Sequence, residues 1–387
     1  LLIMIANQRS KFTLPSGSVY LNCAYMSPML KAVEKKGIAG IHAKRNPAAV
    51  TGEDFFTDTE KVRKEFSKLI SSEAKRVVLV SSVSYGMANV VNNIKLSSSD
   101  NIIVAAEQFP SNYYPWHRVQ QDTGAKIKAI APPLEFINRG KLWNERILEA
   151  IDTNTKVVAL GNVHWADGTL FNLKEIRKRT RDVGALLVID GTQSVGALPF
   201  NVNEIQPDAL ICAGYKWLMG PYSLGLAYYG EYFDQGKPVE ENWINRLHSE
   251  NFAGLVNYET HYQPGALRYE VGEHSNFILL PMLLEALKQI NQWKPKAIQQ
   301  YCAAITRKPI GILRDAGYWV EDEKFRGHHL FGVRLPAHAQ ADKIKKALVK
   351  NKISVSFRGD AIRVSPNLYN SEADLMKLVR VLVSEKA

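Results

Sequence analysis

Two polar residues stand where apolar runs stop: Asp190, which closes ALLVID, and Lys216, just beyond ALICA in AGYKWLMGP. Both runs have the length and residue types of buried strands. In a parallel sheet, ligands sit beyond the carboxyl ends of the strands, so an acid ending one strand and a lysine just past another face one crevice. Lys216 lies between Tyr215 and Trp217 and is followed by Gly220 and Pro221, a tight and aromatic turn. Partial desolvation there lowers the ammonium pKa and favours a nucleophilic amine. A lysine amine with a buried carboxylate is what pyridoxal 5'-phosphate requires: the amine binds the aldehyde, and the carboxylate keeps the pyridine nitrogen protonated. Either residue alone reads more readily as a strand-end charge or a helix cap. Asp190, Gln193 and Lys216 together, in the GYKWLMGP context, read as a cofactor site with Lys216 as its catalytic residue.

DGTQSVGA followed by AGYKWLMGP resembles the class V aminotransferase family of pyridoxal phosphate enzymes, which carries an aspartate, a glutamine three residues later and the cofactor-binding lysine. The likeness runs from about Tyr20 to about Leu382. It implies the fold type I architecture and a homodimer with the active site at the subunit interface.

Further stretches gain meaning from that resemblance. RVVLVSSVSYGMANVVNNI reads as a strand, a small-residue turn and a helix start, which gathers N–H groups and hydroxyls around an anion. Simple capping by Ser84 explains the same residues; the resemblance assigns Ser84, Tyr85 and Gly86 to the cofactor phosphate. EQFPSNYYPW resembles the segment that lays a ring over the pyridine. Desulfurase-type relatives have histidine in that region, whereas Phe109 is similar to the aromatic of kynureninase-like and isopenicillin N epimerase-like branches. Asn162 matches a position that contacts the cofactor's phenolic oxygen, while His164 and Trp165 are candidates for the substrate side; Asp167, followed by Gly168, reads equally well as a turn. Tyr215 completes the cofactor set. IRVSPNLYN matches the family's closing motif, whose arginine takes the substrate carboxylate, so Arg363 receives that role. Arg268 reads either as a second anion contact or as a brace. Where many relatives place threonine toward the neighbouring subunit's phosphate, this chain has Glu273, a poor partner for an anion, with Ser275 as the substitute.

The elements that must position these residues are legible as apolar runs. Strand signals fall at about 77–83, 102–106, 126–130, 156–161, 185–189, 209–213 and 224–229. Helical stretches separate most of them, which predicts right-handed crossovers and a seven-stranded, mainly parallel α/β sheet. The last pair has only a short connection and is expected to be antiparallel. A helix over about 53–69 is expected to bury Phe55, Val62, Phe66 and Leu69. The division expected is an arm over 1–19, a large cofactor-binding domain over 20–265 and a small α+β domain over 266–387. Asn370 to Asp374 reads as a capped helix start.

Composition excludes several classes. With 46% hydrophobic and 22% charged residues, the 387-residue chain is that of an ordinary globular protein. No apolar run approaches the roughly 20 residues of a membrane helix, and LLIMIA lacks the flanks of a secretory signal. Three unpaired cysteines suit a reducing compartment, so a cytoplasmic location is expected. The nine histidines show no metal-ligand spacing, and no metal is expected. The net charge of +11 is spread along the chain, its densest cluster being Lys174, Arg177, Lys178, Arg179 and Arg181 on one predicted helix. That pattern reads as a solvated face, and no nucleic-acid partner is expected.

The resemblance implies an enzyme acting on an amino acid, with transamination to a keto acid first. An epimerase or a kynureninase-like lyase is the alternative. Desulfurases need a mobile cysteine on a loop of the small domain, and VSFRGDAIRVS passes through that region with neither cysteine nor room for a loop.

Overall fold

The structure, a computed structural model, describes residues 5–336 and 339–384. The chain opens with β1 (Val19–Tyr20), α1 (Lys31–Ala43) and α2 (Asp54–Ile70). It continues through β2 (Val77–Val80), α3 (Val83–Val91), β3 (Asn101–Ala105), α4 (Tyr114–Thr123), β4 (Lys126–Ile130), α5 (Arg139–Ala150) and β5 (Thr155–Gly161). Next come α6 (Leu173–Val183), β6 (Leu186–Asp190), α7 (Val202–Ile205), β7 (Ala209–Ala213) and β8 (Gly225–Tyr229). After a long connection follow α8 (Leu279–Trp293), α9 (Pro295–Asp315), β9 (Phe331–Arg334), α10 (Ala341–Lys350), β10 (Ile353–Ser354), β11 (Ser356–Arg358), β12 (Ala361–Val364) and α11 (Glu372–Ser384).

Strands β2 to β8 form one seven-stranded sheet in the order β2-β8-β7-β6-β5-β3-β4. All seven expected strands are present, and β8 runs antiparallel to both neighbours. The sheet is covered on both faces, which is why its strands read as continuous apolar runs. Val78, Val80, Ile102, Val104, Val157 and Ala159 face one core, while Leu79, Ile103, Val158 and Leu160 face the other. From β3 the chain steps outward to β4 and then back across to β5, so the direction of winding reverses between β3 and β5. That reversal opens a crevice at the carboxyl ends of the strands.

Helix α2 buries Val62, Phe66 and Leu69 as expected. Phe55 is only half-buried, edge-on to Phe252 and Phe277. Helices α8 and α9 are separated at Lys294, which takes a positive φ of 67°, and Pro295 then starts α9.

Strands β11, β12 and β9 form a second, antiparallel sheet, and β1 pairs in parallel with β10. Packing crosses the division expected at residue 265 at α8, whereas α9 packs within the C-terminal part. Helix α8 lies against α1 and α2, while α9 packs on α11. The expected arm is tied down: Gln8 N–H donates to Leu368 O at 2.8 Å and Asn7 Nδ2 to Asn370 O at 2.7 Å. At the start of α11, Ser371 N–H donates to Asp374 Oδ2 at 3.0 Å, the capped start read from the sequence. No described helix is long and apolar enough to cross a membrane.

Candidate active site

The crevice at the strand ends is a cleft of about 380 Å³, and Lys216, Asp190, Gln193, Tyr215, Phe109 and Ser84 all line it. Asp190 is the last residue of β6, the strand between β5 and β7, and Lys216 lies three residues past β7. Gly191 next to Asp190 has no space for a side chain, since a Cβ there would lie 2.7 Å from Leu210 Cδ1 and 2.8 Å from Cys212 Sγ. The close approach of this turn to β7 holds the carboxylate against the lysine's strand.

Lys216 is 6% exposed. Its Nζ sits 5.3 Å from the centre of the Phe109 ring and 5.5 Å from that of Tyr215. Burial pulls its ammonium pKa down to about 8, against the pull of Asp190 and with the help of Arg363 and Arg358. Burial pushes the Asp190 carboxyl up, opposed by hydrogen bonding from Thr192, whose N–H donates to Oδ1 at 3.0 Å. Among the described residues no cation lies within ion-pair distance of Asp190, so its carboxylate is free to receive a protonated ring nitrogen. Gln193 is braced rather than free: its Nε2 donates to Ala24 O at 3.1 Å, and its Oε1 accepts from Trp217 Nε1 at 2.9 Å.

At the other end, Ser81, Ser82, Val83 and Ser84 line the cleft where α3 begins. The cap of α3 is Ser82, not Ser84: Ser82 Oγ accepts from Tyr85 N–H at 3.1 Å and lies 2.9 Å from Ser84 Oγ. The free N–H groups of this first turn and the two hydroxyls suit a phosphate. Tyr85 and Gly86, expected to share that role, do not line the cleft. Tyr85 donates to Glu240 Oε2 at 2.7 Å, and Gly86 packs on β7, where a Cβ would come 2.8 Å from Ile211 Cγ2.

Asn162 is also placed elsewhere. β5 ends at Gly161, which lines the cleft, and the next residue faces the opposite side with Leu170 and Phe171. Val163, His164 and Trp165 bring the chain back to the cleft. His164 is held by Asp167, with Nδ1 3.1 Å from Oδ1. Asp167 is a structural anchor that also accepts from Arg139 at 2.8 Å and Arg334 at 3.3 Å. Burial raises its carboxyl, but His164 and Arg139 outweigh this and hold it far below the ordinary range.

Trp165 forms the wall between the cofactor end and the small sheet. Its indole N–H donates to Glu107 O at 2.6 Å, and its ring meets Phe109 edge-on at 5.4 Å. Arg363, 1% exposed, donates to Trp165 O at 2.9 Å. Arg358, which sequence reasoning passed over, lies 5.3 Å from the same ring. In the hairpin register Arg363 opposes Ser356 and Arg358 opposes Ala361, so alternate positions put both arginines on one face. Arg268 is a brace: its Nε and guanidinium donate to Gly265 O at 3.2 Å and Gly236 O at 3.0 Å. Glu273 is exposed with a φ of 54°, and neither it nor the buried Ser275 lines the cleft.

The donor set fits pyridoxal phosphate. A carboxylate without a basic partner would meet the ring nitrogen, a desolvated amine the aldehyde, an aromatic ring the pyridine face, and a hydroxyl-rich helix start the phosphate. This arrangement on this sheet defines a fold type I pyridoxal phosphate enzyme. The family model "Aminotransferase class-V" matches residues 39–381, and the chain belongs to that family. An uncharacterized aminotransferase of Bacillus subtilis (strain 168), YcbU, is 25% identical over 82% of this chain and 81% of its own. The apo cysteine desulfurase of Thermococcus onnurineus NA1 superposes with a TM-score of 0.82 at 19% identity, over 98% of this chain and 99% of that one. A C-DES mutant with glycine covalently linked to its PLP cofactor does so with a TM-score of 0.88 at 16% identity, over 98% and 99%. These relatives carry no placement in the kynureninase-like or epimerase-like branch.

Proposed function

We propose that the chain is an aminotransferase that moves an amino group between an amino acid and a keto acid. The observation that supports this most is the single amine of the cleft. Of the described lining residues, Lys216 alone is an amine and Asp190 alone a carboxylate. Asp190 would meet the ring nitrogen and His164, which also lines the cleft, is tied through Nδ1 to Asp167, so Lys216 is the base assigned here. When bound, pyridoxal phosphate supplies an aldehyde for the amino group and a ring that takes up electrons from a bond broken at the α-carbon. Lys216 Nζ, desolvated and neutral above about pH 8, accepts the α-proton and returns it on the same face. A proton taken and returned by one base suits transamination. Arg363 holds the α-carboxylate, and Trp165 and Phe109 keep water from the amine.

Against desulfurase chemistry stands the hairpin, in which Arg358 and Ala361 are joined through Gly359 and Asp360 alone, while Cys23, Cys212 and Cys302 are all buried. Phe109, an apolar ring set edge-on to Trp165, favours an epimerase or a kynureninase-like lyase as the second reading. The working unit under this proposal is a cytoplasmic homodimer. Phe252, Leu255, Val256, Tyr258 and Phe277 offer exposed apolar surface for the partner, whereas Ser275, the candidate for the shared phosphate contact, is buried within the protomer. Of the basic side chains of α6, Lys174 pairs with Glu204, Arg177 with Asp208, and Arg179 donates to Ile151 O, in keeping with a solvated face rather than a nucleic-acid surface.

The test is a visible spectrum of the protein purified with pyridoxal phosphate, for wild type and Lys216→Ala, before and after a panel of amino acids. A Lys216-dependent band that some amino acid converts to the pyridoxamine spectrum supports the proposal. No such band would overturn it, and a band that never converts, with racemised or cleaved substrate, would favour the second reading. Sedimentation of the same sample reads the dimer.

A further inference from the structure

The wall of the cleft at Trp165 is gripped by two arginines of one hairpin. The Arg358 guanidinium stands 5.3 Å and that of Arg363 5.8 Å from the Trp165 ring centre. Each gives one hydrogen bond to a backbone carbonyl, Arg358 to Phe357 O at 2.8 Å and Arg363 to Trp165 O at 2.9 Å. Each also keeps a buried Nε with no partner. Among the described residues neither has a carboxylate within 4 Å, although Glu107 shares the small hollow behind Trp165 with Arg358. Arg334, the neighbouring arginine on β9, shows the contrast, being paired with both Asp167 and Asp360. Two guanidiniums that share one ring and no counter-ion repel each other, and Arg358 adds to the downward pull on Arg363 and on Lys216. One fork satisfies one α-carboxylate. The second fork is left for a second anion.

We propose that Arg358 is a specificity-determining residue, binding a second anionic group on the side chain of the substrate amino acid while Arg363 binds the α-carboxylate. This rests on the reading of the cleft as an amino-acid site. The chemistry recognised is that of an oxyanion on a short side chain, whether carboxylate, sulfonate or phosphate. Trp165 is the positioning residue that sets the spacing between the two forks, its ring stacked by both through cation–π contact.

The experiment titrates the protein loaded with pyridoxal phosphate against aspartate, glutamate, cysteate and O-phosphoserine on one side, alanine and methionine on the other. Spectral changes give the dissociation constants. In parallel, calorimetry compares succinate with propionate, which needs no cofactor chemistry. Wild type is expected to bind the dianionic ligands at least about tenfold more tightly. Arg358→Met is expected to remove that preference while changing alanine binding by no more than about twofold, and Arg358→Lys, which keeps the charge without the fork, to retain part of it. Arg363→Met should weaken both classes. The order among carboxylate, sulfonate and phosphate ligands identifies the anion. An absent wild-type preference, or equal weakening of both classes by Arg358→Met, overturns the proposal. A missing Lys216-dependent band would defeat the cofactor reading alone, since the succinate comparison still decides Arg358.

Discussion

The lysine side and the arginine side of Trp165 are built in different ways, only the first lining the cleft itself. Lys216 and Asp190 stand at the ends of neighbouring strands of one buried sheet, each within three residues of a strand whose partners fix it on both sides. The arginine end comes from a three-stranded sheet reached only after the long connection and α8 to α10, and it meets the first end across a single indole. The first end has the rigidity that bond-breaking chemistry needs. The second is a hairpin at the edge of the small sheet, closed through Gly359 and Asp360 alone. Under the proposed roles, how a bond is broken is separated from which molecule is chosen.

Variants can break or sharpen that separation. Lys216→Ala should abolish the visible band and lower turnover by at least about a thousandfold. Asp190→Asn keeps the volume and removes the charge; turnover should fall by about a hundredfold to a thousandfold while the band persists. A change confined to KM would place Asp190 on the substrate side and break the comparison. Arg363→Lys should raise KM by about tenfold to a hundredfold and spare the band. The two ends also communicate through charge. Only the neutral amine of Lys216 attacks an aldehyde, so the rate at which unloaded protein captures pyridoxal phosphate should rise with pH about a midpoint near 8. Arg363→Met removes a cation that lowers this value, and the midpoint should move upward; a fixed midpoint would mean that the ends are electrically independent.

The smallest effect concerns His329, which ties the two sheets together by donating from Nε2 to Gln193 O at 2.8 Å while Nδ1 accepts from Gln299 Nε2 at 2.8 Å. Burial lowers its pKa from 6.5 to about 4. The unfolded chain therefore binds a proton that the folded one refuses, and stability should decline as pH falls from about 6.5 towards 4. His329→Gln should flatten thermal unfolding midpoints across that window.

The large sheet was legible because strands buried on both faces are unbroken apolar runs, and Asp190 and Lys216 were legible because they interrupt such runs. Asn162 was not, since one step past the end of a strand reverses the face a side chain takes. Tyr85 and Gly86 lie off the cleft for the helical counterpart of that reason: Ser81 to Ser84 of the opening turn line it, and the following residues rotate away. Arg358 carries no local signal at all. Its meaning depends on the register of a hairpin and on an indole nearly 200 residues earlier, as the contact between Arg363 and Trp165, 198 positions apart, illustrates.

The pairing of β1 with β10 has a consequence in time. On a ribosome the seven strands of the large sheet have all been made once Tyr229 has emerged, whereas Tyr20 waits for Ser354 and Leu21 for Ser365. Domains form as units during synthesis, so the cofactor end can assemble while the N-terminal strand is still without its partner. Selectivity is then the last property the nascent chain acquires.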